Sequence, residues 1–202
     1  MTVRVLIADD QAMVLEALAT LLNLQEGIEV VCTCSSSNHV LTAVEQSNPD
    51  VCLLDIEMPG IDGLSLVEIL GRAHPQIPCI MVTTFGRPGY VQRSMAAGAK
   101  GFLVKSASAQ SLAESIHSVM DGNIVIDSQL AVAAMTIGAS PLTNRERDVM
   151  RLVRAGKHDA DIAKELHMSS GTVRNHVSSV LAKTQTSSRI EAALLVEESG
   201  WL

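Results

Sequence analysis

The sequence has few aromatic residues and no long uninterrupted apolar run. Aromatic side chains make up only 2% of its 202 residues, which argues against the broad base-stacking surfaces of proteins that bind single-stranded nucleic acid. No stretch approaches the roughly 20 apolar residues of a transmembrane helix. The opening MTVRVLIADD turns acidic too early for a signal peptide. We therefore expect a cytoplasmic protein.

Cysteine is also scarce, and no two cysteines form a CxxC motif. The four are Cys32, Cys34, Cys52 and Cys79, a pattern typical of reduced, small apolar side chains rather than of a disulfide framework or a zinc site. The composition is 47% hydrophobic and 18% charged, as in an ordinary folded protein, which argues against long disordered segments. The length favours one large domain or two small ones.

Charge is distributed unevenly along the chain. Residues 1–140 carry 6 Lys and Arg against 14 Asp and Glu, a net charge of −8, whereas residues 141–202 carry a net charge of +1. The two parts therefore have different electrostatic roles. We predict a first domain over residues 1–121, a linker with a short helix over 122–141, and a second domain over 142–202. Residues 136–141 are the predicted connecting segment.

In the first part, apolar runs alternate with segments of helical period, as expected for a parallel sheet built from βα units. We predict strands at residues 3–8, 29–33, 51–54, 79–83 and 101–104, and helices near 11–24, 38–47, 63–71, 88–97 and 108–121. The predicted fold is α/β, a doubly wound five-stranded parallel sheet of flavodoxin type.

The second part has only helical patterns. Thr143 with Glu146, and Ser188 with Glu191, have the spacing of capping boxes that open helices, and Gly156 is placed to end the first of them. A helix over 160–167, a turn at 168–169 and a helix over 170–184 predict a helix-turn-helix. The second domain is therefore predicted to be an all-α, four-helix domain.

The second helix of this helix-turn-helix has the chemistry of a DNA reader. It contains no acidic residue, and Arg174, Asn175 and Ser178 lie opposite its apolar stripe. Such side chains can donate hydrogen bonds to base edges in the major groove. Thr172, His176 and Lys183 flank them, where phosphates are expected. A helix with one apolar face is also what an ordinary core helix looks like.

Chemically matched residues follow the predicted strands. Asp9 and Asp10 end the first predicted strand, Asp55 ends the third, Thr83 closes the fourth and Lys105 follows the fifth. Because functional groups gather at the carboxyl ends of parallel strands, we expect these five to converge. Each residue alone has a structural explanation, such as a helix cap for the aspartates. Together, unpaired carboxylates indicate a hard cation such as Mg²⁺ and chemistry on a phosphoryl group.

The segments IADD, DIEMPGIDG, MVTT and GAKGFLVK closely resemble the receiver domain of bacterial two-component response regulators. The resemblance implies that Asp55 accepts a phosphoryl group from a sensor histidine kinase. It also implies that Asp9, Asp10, Asp55 and the main-chain carbonyl of Glu57 hold Mg²⁺. By the same resemblance, Lys105 neutralises phosphoryl oxygens, and Thr83 and Phe102 form a switch. Ser106 stands where the family often has proline.

The segments LTNRERDVMRLVRAG, DIAKELHMSSGTVRNHVSSVLAK and SSRIEAA resemble the LuxR-type DNA-binding domain. With the receiver, they identify the chain as a member of the NarL/FixJ type of response regulator, which controls transcription by binding promoter DNA. The resemblance implies base contacts from Arg174, Asn175 and Ser178. It also implies phosphate contacts from Thr172, His176, Lys183, Ser188 and Arg189. The ending VEESGWL resembles regulators of membrane-lipid desaturation.

The net charge of +1 predicts modest DNA affinity for one module, because nonspecific binding scales with the phosphates neutralised. We therefore expect a homodimer formed on phosphorylation, and RNA polymerase as a further partner.

Two other hypotheses remain. Asp55 and Glu57 resemble the carboxylate pair of aspartyl-phosphate phosphatases, which would make the protein an enzyme rather than a regulator. Cys32 and Cys34 would make it a redox sensor.

Overall fold

The computed structural model describes residues 2–84, 86–137 and 140–202. Within these ranges, no helix combines the length and the apolar character needed to cross a membrane. Contacts divide the chain into two compact units, residues 1–86 with 91–132 and residues 87–90 with 133–202. Residues 138 and 139 of the predicted connecting segment lie outside the described residues.

The first unit contains a parallel sheet. Its strands are β1 (Val3–Ala8), β2 (Ile28–Cys34), β3 (Val51–Leu54), β4 (Cys79–Thr83), β5 (Gly101–Val104) and β6 (Val125–Ile126), and their spatial order is β2-β1-β3-β4-β5-β6. The first five strands have the doubly wound order of the flavodoxin type, as predicted. The parallel pairing places the carboxyl ends of β1, β3, β4 and β5 at one edge.

The predicted strand count of five is wrong by one. The additional strand, β6, pairs through only two residues with the edge strand β5, and two residues are too few to show an alternating pattern. The other predicted strands are present, and β2 extends one residue further at each end than predicted. The helices that follow the strands are α1 (Ala12–Asn23), α2 (Val40–Ser47), α3 (Gly63–Ala73), α4 (Pro88–Ala97), α5 (Ala109–Met120) and α6 (Ser128–Ile137).

The core of the sheet follows from strand pleating. Val5, Ile7, Leu53 and Ile80 point to one face, where they form a buried cluster with apolar residues of α1 and α5 such as Leu22 and Ile116. Their neighbours along the strands, Leu6, Leu54 and Met81 among them, point to the opposite face and are equally buried. Because both faces are covered, these strands read as continuous apolar runs in the sequence.

The second unit is built from α7 (Asn144–Arg154), α8 (Asp159–Glu165), α9 (Ser170–Thr184) and α10 (Arg189–Glu198). The helices share a core that includes Val149, Ile162, Val173 and Val196, against which Trp201 packs. Helix α8 ends two residues earlier than predicted, and the backbone turns left-handed at His167. The predicted order of helix, turn and helix is present.

The first predicted capping box is present, and the second is present in part. Thr143 Oγ1 accepts a hydrogen bond from the Glu146 amide, and the Glu146 carboxylate accepts one from the Thr143 amide. At α10, Ser188 Oγ accepts from the Glu191 amide. The main hydrogen bond to the Glu191 carboxylate comes from the amide of Ser187 at 2.9 Å, one residue before the N-cap. The second box therefore departs from the ideal pattern on that side.

Helix α3 begins in close contact with the end of β3. The Gly63 amide donates to the Ile56 carbonyl at 3.0 Å, and a Cβ built on Gly63 would lie 2.0 Å from the Asp55 carbonyl oxygen. Real Cβ atoms do not approach a backbone oxygen so closely, so a side chain here forces the backbone apart. Glycine at this position allows the helix to start directly beneath Asp55.

This contact predicts opposite effects for two substitutions in the same helix. Gly63→Ala should destabilise the protein by about 1–3 kcal/mol, because the methyl group overpacks the Asp55 backbone. Gly71→Ala has open space around its Cβ and should stabilise it by up to about 1 kcal/mol through helix propensity. Urea unfolding followed by circular dichroism measures both. Equal stability of the two variants would contradict the close-contact argument.

Candidate functional site

Three carboxylates meet at the carboxyl edge of the sheet, as predicted. One ligand oxygen each from Asp9, Asp10 and Asp55 lies within 4.8 Å of the others. Asp9 and Asp55 are 1% and 4% exposed, whereas Asp10 is exposed. The backbone explains the convergence, because the Asp55 amide donates to the Ala8 carbonyl at 2.9 Å, directly before Asp9. Parallel pairing of β1 and β3 thus brings the carboxylates together.

Lys105 neutralises part of this negative charge. Its Nζ lies 2.6 Å from Asp9 Oδ2 and 3.3 Å from Asp55 Oδ1, and its side chain is 8% exposed. The Lys105 amide donates to the Thr83 carbonyl at 2.8 Å, which fixes the chain after β5 against β4. Burial raises the pKa of Asp55 to about 6, with Asp9 adding to this effect and Lys105 opposing it.

A cavity of about 160 Å³ opens above the cluster. It is lined by Asp10, Gln11, Asp55, Glu57, Thr83 and Thr84. Gln11 was not among the predicted site residues, although it directly follows Asp10 in the sequence, and Thr84 lies next to the predicted Thr83. Carboxylate oxygens are the ligands that Mg²⁺ prefers, and the remaining cavity has room for water or phosphoryl oxygens, so the residues present fit this ion. Phe102 is fully buried on β5, beside Met81 of β4.

Helix α9 presents the predicted base-reading residues to solvent. Arg174, Asn175 and Ser178 are exposed, and their spacing of three and four residues places them on one side of the helix. Val173 and Val180 on the other side are fully buried. The helix is therefore anchored through its apolar stripe and leaves its polar side available.

The predicted phosphate-contacting residues have different surroundings. Thr172 is exposed and its hydroxyl lies 2.9 Å from Ser169 Oγ, while His176 is half-buried. Ser188 caps α10. Lys183 Nζ lies 2.6 Å from Glu146 Oε2, and Arg189 Nη1 lies 2.6 Å from Asp159 Oδ1. These two cations are thus bound within the unit, and their DNA contacts stay predictions.

Two family models match the two parts of the chain. The model of the response regulator receiver domain matches residues 5–117, which contain all the acidic-pocket residues. The model of bacterial regulatory proteins of the luxR family matches residues 140–196. The chain belongs to the response regulator family. It is of the NarL/FixJ type, a transcription regulator with a receiver domain and a LuxR-type DNA-binding domain.

Known regulators resemble this response regulator over its whole length. It is 43% identical to the transcriptional regulatory protein DesR of Bacillus subtilis (strain 168), over 98% of both chains. It is 40% identical to the uncharacterized transcriptional regulatory protein YvfU of the same organism, over 99% of this chain and 100% of that one. The similarity therefore includes both domains in the same order.

A solved structure shares this fold at low sequence identity. RcsB from Salmonella enterica serovar Typhimurium, bound to the promoter rprA in the presence of BeF₃⁻, is 23% identical, covers 96% of this chain and 98% of its own, and gives a TM-score of 0.71. This likeness supports the order of a receiver fold followed by a helical domain.

Three of the four cysteines of the response regulator have the environment of core residues, and Cys32 is half-buried. Cys34, Cys52 and Cys79 are buried and all four cysteines are unpaired. Burial, with a smaller effect from Cys32, raises the pKa of Cys34 to about 12. Because the thiolate is the form that reacts with oxidants, this environment disfavours the redox-sensor hypothesis.

Glu146 has a second role that its capping spacing did not reveal. The residue is 3% exposed, and its carboxylate accepts hydrogen bonds from Ser179 at 2.7 Å and Lys183 at 2.6 Å, so it ties α7 to α9. Burial would raise the pKa of Glu146, but these hydrogen bonds and that from Thr143 outweigh burial and lower it to about 2. A contact spanning 37 residues leaves no local signal in the sequence.

The low pKa of Glu146 predicts acid sensitivity of the second unit. Between about pH 4.5 and pH 2 the unfolded chain protonates this carboxylate while the folded chain does not, so stability is lost as the pH falls through this range. The loss attributable to Glu146 should reach at most about 3 kcal/mol. Urea unfolding from pH 6 to pH 2.5, with amide exchange localised to α7 and α9, measures it.

Glu146→Gln should be less stable than wild type at pH 6 and should flatten the pH dependence. Glu165→Gln is the matched control, because Glu165 is an exposed carboxylate in an ion pair with Lys157 and exposed pairs contribute little. An identical pH dependence in wild type and Glu146→Gln would show that the buried carboxylate does not stabilise the fold.

Proposed function

We propose that Asp55 accepts a phosphoryl group from a sensor histidine kinase in the cytoplasm, and that this step controls the binding of promoter DNA. The observation that carries the proposal is the meeting of Asp9, Asp10 and Asp55, two of which, Asp9 and Asp55, contact the buried Lys105 ammonium. Carboxylates crowded in this way repel one another unless cations neutralise them. A metal ion and a phosphoryl group together match this pattern of charge.

In the proposed reaction, a carboxylate oxygen of Asp55 attacks phosphorus, and the bond between phosphorus and the donor's leaving group breaks. Asp9, Asp10, Asp55 and the Glu57 main-chain carbonyl would hold Mg²⁺, which supplies positive charge for the phosphoryl oxygens when it is bound. Lys105 supplies a second positive charge beside Asp55. The protein would catalyse only its own phosphorylation and dephosphorylation, without turnover of external phosphate esters.

Thr83 and Phe102 are the proposed switch. Thr83 lines the cavity at the end of β4, so its hydroxyl can donate to a phosphoryl oxygen on Asp55. Phe102 lies on the adjacent strand, where it is fully buried. Since Phe102 has no hydroxyl, any signal through it must travel by packing. Movement of Thr83 toward the phosphoryl group would therefore be transmitted by repacking around Phe102.

Phosphorylation is proposed to favour a homodimer that binds double-stranded promoter DNA. Arg174, Asn175 and Ser178 would contact bases, and Thr172, His176, Lys183, Ser188 and Arg189 would contact phosphates. Two modules bound to repeated half-sites compensate for the small positive charge of one. RNA polymerase is the further partner proposed for transcriptional control. A target among genes of membrane-lipid desaturation stays a prediction.

Phosphorylation can be tested directly on the full chain. Incubation with Mg²⁺ and a small acyl-phosphate donor should add the mass of one phosphoryl group to wild type and none to Asp55→Asn, because the amide is not a nucleophile at this position. Intact-mass spectrometry measures the adduct, and light scattering measures the oligomeric state in the same sample.

An adduct with dimerisation supports the whole proposal, and an adduct in a monomer restricts it to phosphorylation without dimer control. An adduct that persists in Asp55→Asn would assign the phosphoryl group to another residue. Absence of any adduct with either the donor or a kinase would overturn the proposed reaction. Turnover of an external phosphate ester would favour the phosphatase alternative.

The DNA-reading side of α9 predicts the effect of removing Arg174. Arg174→Ala should weaken binding to a duplex selected by the wild-type protein from a random library by about 1–3 kcal/mol, since an arginine contact to a base edge is lost. Binding to unselected duplex should change less. Fluorescence anisotropy with both duplexes measures the difference.

Arg145→Ala is the matched control, because Arg145 is an exposed arginine on α7 whose side chain is 63% exposed. It removes the same charge from the same unit without altering α9. If both variants lose affinity equally for selected and unselected DNA, Arg174 contributes only general positive charge.

A further inference from the structure

The loop between β3 and α3 is held by hydrogen bonds to one buried serine from another part of the chain. Ser37 lies in a single 3₁₀ turn, Ser37–His39, after β2, and is 1% exposed. Its Oγ donates to the Pro59 carbonyl at 2.8 Å and accepts from the Ile61 amide at 3.0 Å. One hydroxyl therefore uses both its donor and an acceptor site on the same loop.

The two hydrogen bonds hold the loop on either side of Gly60. Gly60 has a φ of +91°, a conformation that favours glycine. A Cβ built on it would lie 3.2 Å from Ser37 Oγ. The loop thus passes tightly against the serine, and its backbone shape at Pro59–Ile61 depends on a partner 22 residues earlier in the chain.

This anchor lies close to the residues proposed to bind the metal. The loop is closed at its base by the hydrogen bond from the Gly63 amide to the Ile56 carbonyl. Glu57, whose main-chain carbonyl is a proposed ligand, lies between that closure and the Ser37 anchor at Pro59. Two fixed points therefore enclose the short segment 57–58, and Met58 within it is buried.

Because of the strand order, the Ser37 contact also affects the loops on both sides of the end of β1. Strand β1 lies between β2 and β3, so a contact from the turn after β2 to the loop after β3 joins the two loops that flank the end of β1. Asp9 and Asp10 follow β1 at that point. Ser37 therefore braces the segments on both sides of the proposed metal ligands.

We propose that Ser37 is a positioning residue for the metal and phosphoryl pocket, holding the Glu57 backbone in register with Asp55. The inference rests on the proposed function. Mg²⁺ requires nearly ideal octahedral geometry, so a loop that is free to shift binds it more weakly. Loss of a residue that orients ligands from outside commonly reduces metal affinity about 10–100-fold.

The test compares Ser37→Ala with wild type, using the full chain and a small acyl-phosphate donor. The rate of phosphorylation is measured by intact mass over a range of Mg²⁺ concentrations. We expect the half-saturating Mg²⁺ concentration to rise about tenfold in Ser37→Ala, with the rate at saturating Mg²⁺ approaching that of wild type. Calorimetric titration with Mg²⁺ alone should show the same shift in affinity.

Ser94→Ala is the matched control. Ser94 is a fully buried serine on α4, and its hydroxyl has no hydrogen-bond partner among the described residues. It should leave the Mg²⁺ dependence unchanged. If Ser37→Ala fails to fold, Ser37→Cys retains nearly the same volume with much weaker hydrogen bonding and should still raise the half-saturating Mg²⁺ concentration.

The outcomes separate the two proposals. Wild type that neither binds Mg²⁺ nor accepts phosphoryl would overturn the proposed function itself. Wild type that does both, with a folded Ser37 variant of unchanged Mg²⁺ dependence, would overturn only the positioning role. A variant that loses thermal stability at an unchanged half-saturating Mg²⁺ concentration would likewise show that Ser37 is merely structural.

Discussion

Neutralisation of crowded carboxylates by one buried ammonium is the interaction on which the functional edge of the sheet depends. Three strands deliver the charges, because Asp9, Asp55 and Lys105 each follow a different strand of the same parallel sheet. The same carboxylate oxygens can be neutralised by the Lys105 ammonium, by a proton or by a divalent cation. The pKa of Asp55 is therefore raised by burial and by Asp9 and is lowered by Lys105. A phosphoryl group on Asp55, as proposed, would alter that balance.

In the second unit, a buried carboxylate is also neutralised by a lysine, and this pair stabilises the packing of two helices. Glu146 is a buried charge that would be costly alone, and its bonds to Ser179 and Lys183 compensate for its burial. The carboxylate thereby fixes the orientation of α9 relative to α7. The hydrogen bonds of Glu146 to Ser179 and Lys183 therefore also orient the exposed side of α9, which carries Arg174 and Asn175. The charge of the Asp55 cluster can therefore change in the first unit, whereas the Glu146–Lys183 pair stabilises the fold of the second.

The sequence was sufficient to predict most of the fold and the acidic part of the site. Buried parallel strands appear in the sequence as apolar runs, so β1, β3, β4 and β5 have the predicted bounds. Because the carboxyl ends of parallel strands lie at one edge of the sheet, the proximity of Asp9 and Asp55 could also be predicted. The exceptions have two physical causes. The strand β6 is too short for a periodic pattern, and the partners of Ser37 and Glu146 lie 22 to 37 residues away. Side chains that connect distant segments leave no local pattern.

The placement of Trp201 gives the protein a built-in optical distinction between its units. It is the only tryptophan of the chain, and it packs against the core of the second unit. The receiver sheet contains no indole, so fluorescence excited at long wavelength originates entirely from the DNA-binding domain. Unfolding of that core can therefore be followed without labels or added dyes, while signals from backbone absorption report on both units together.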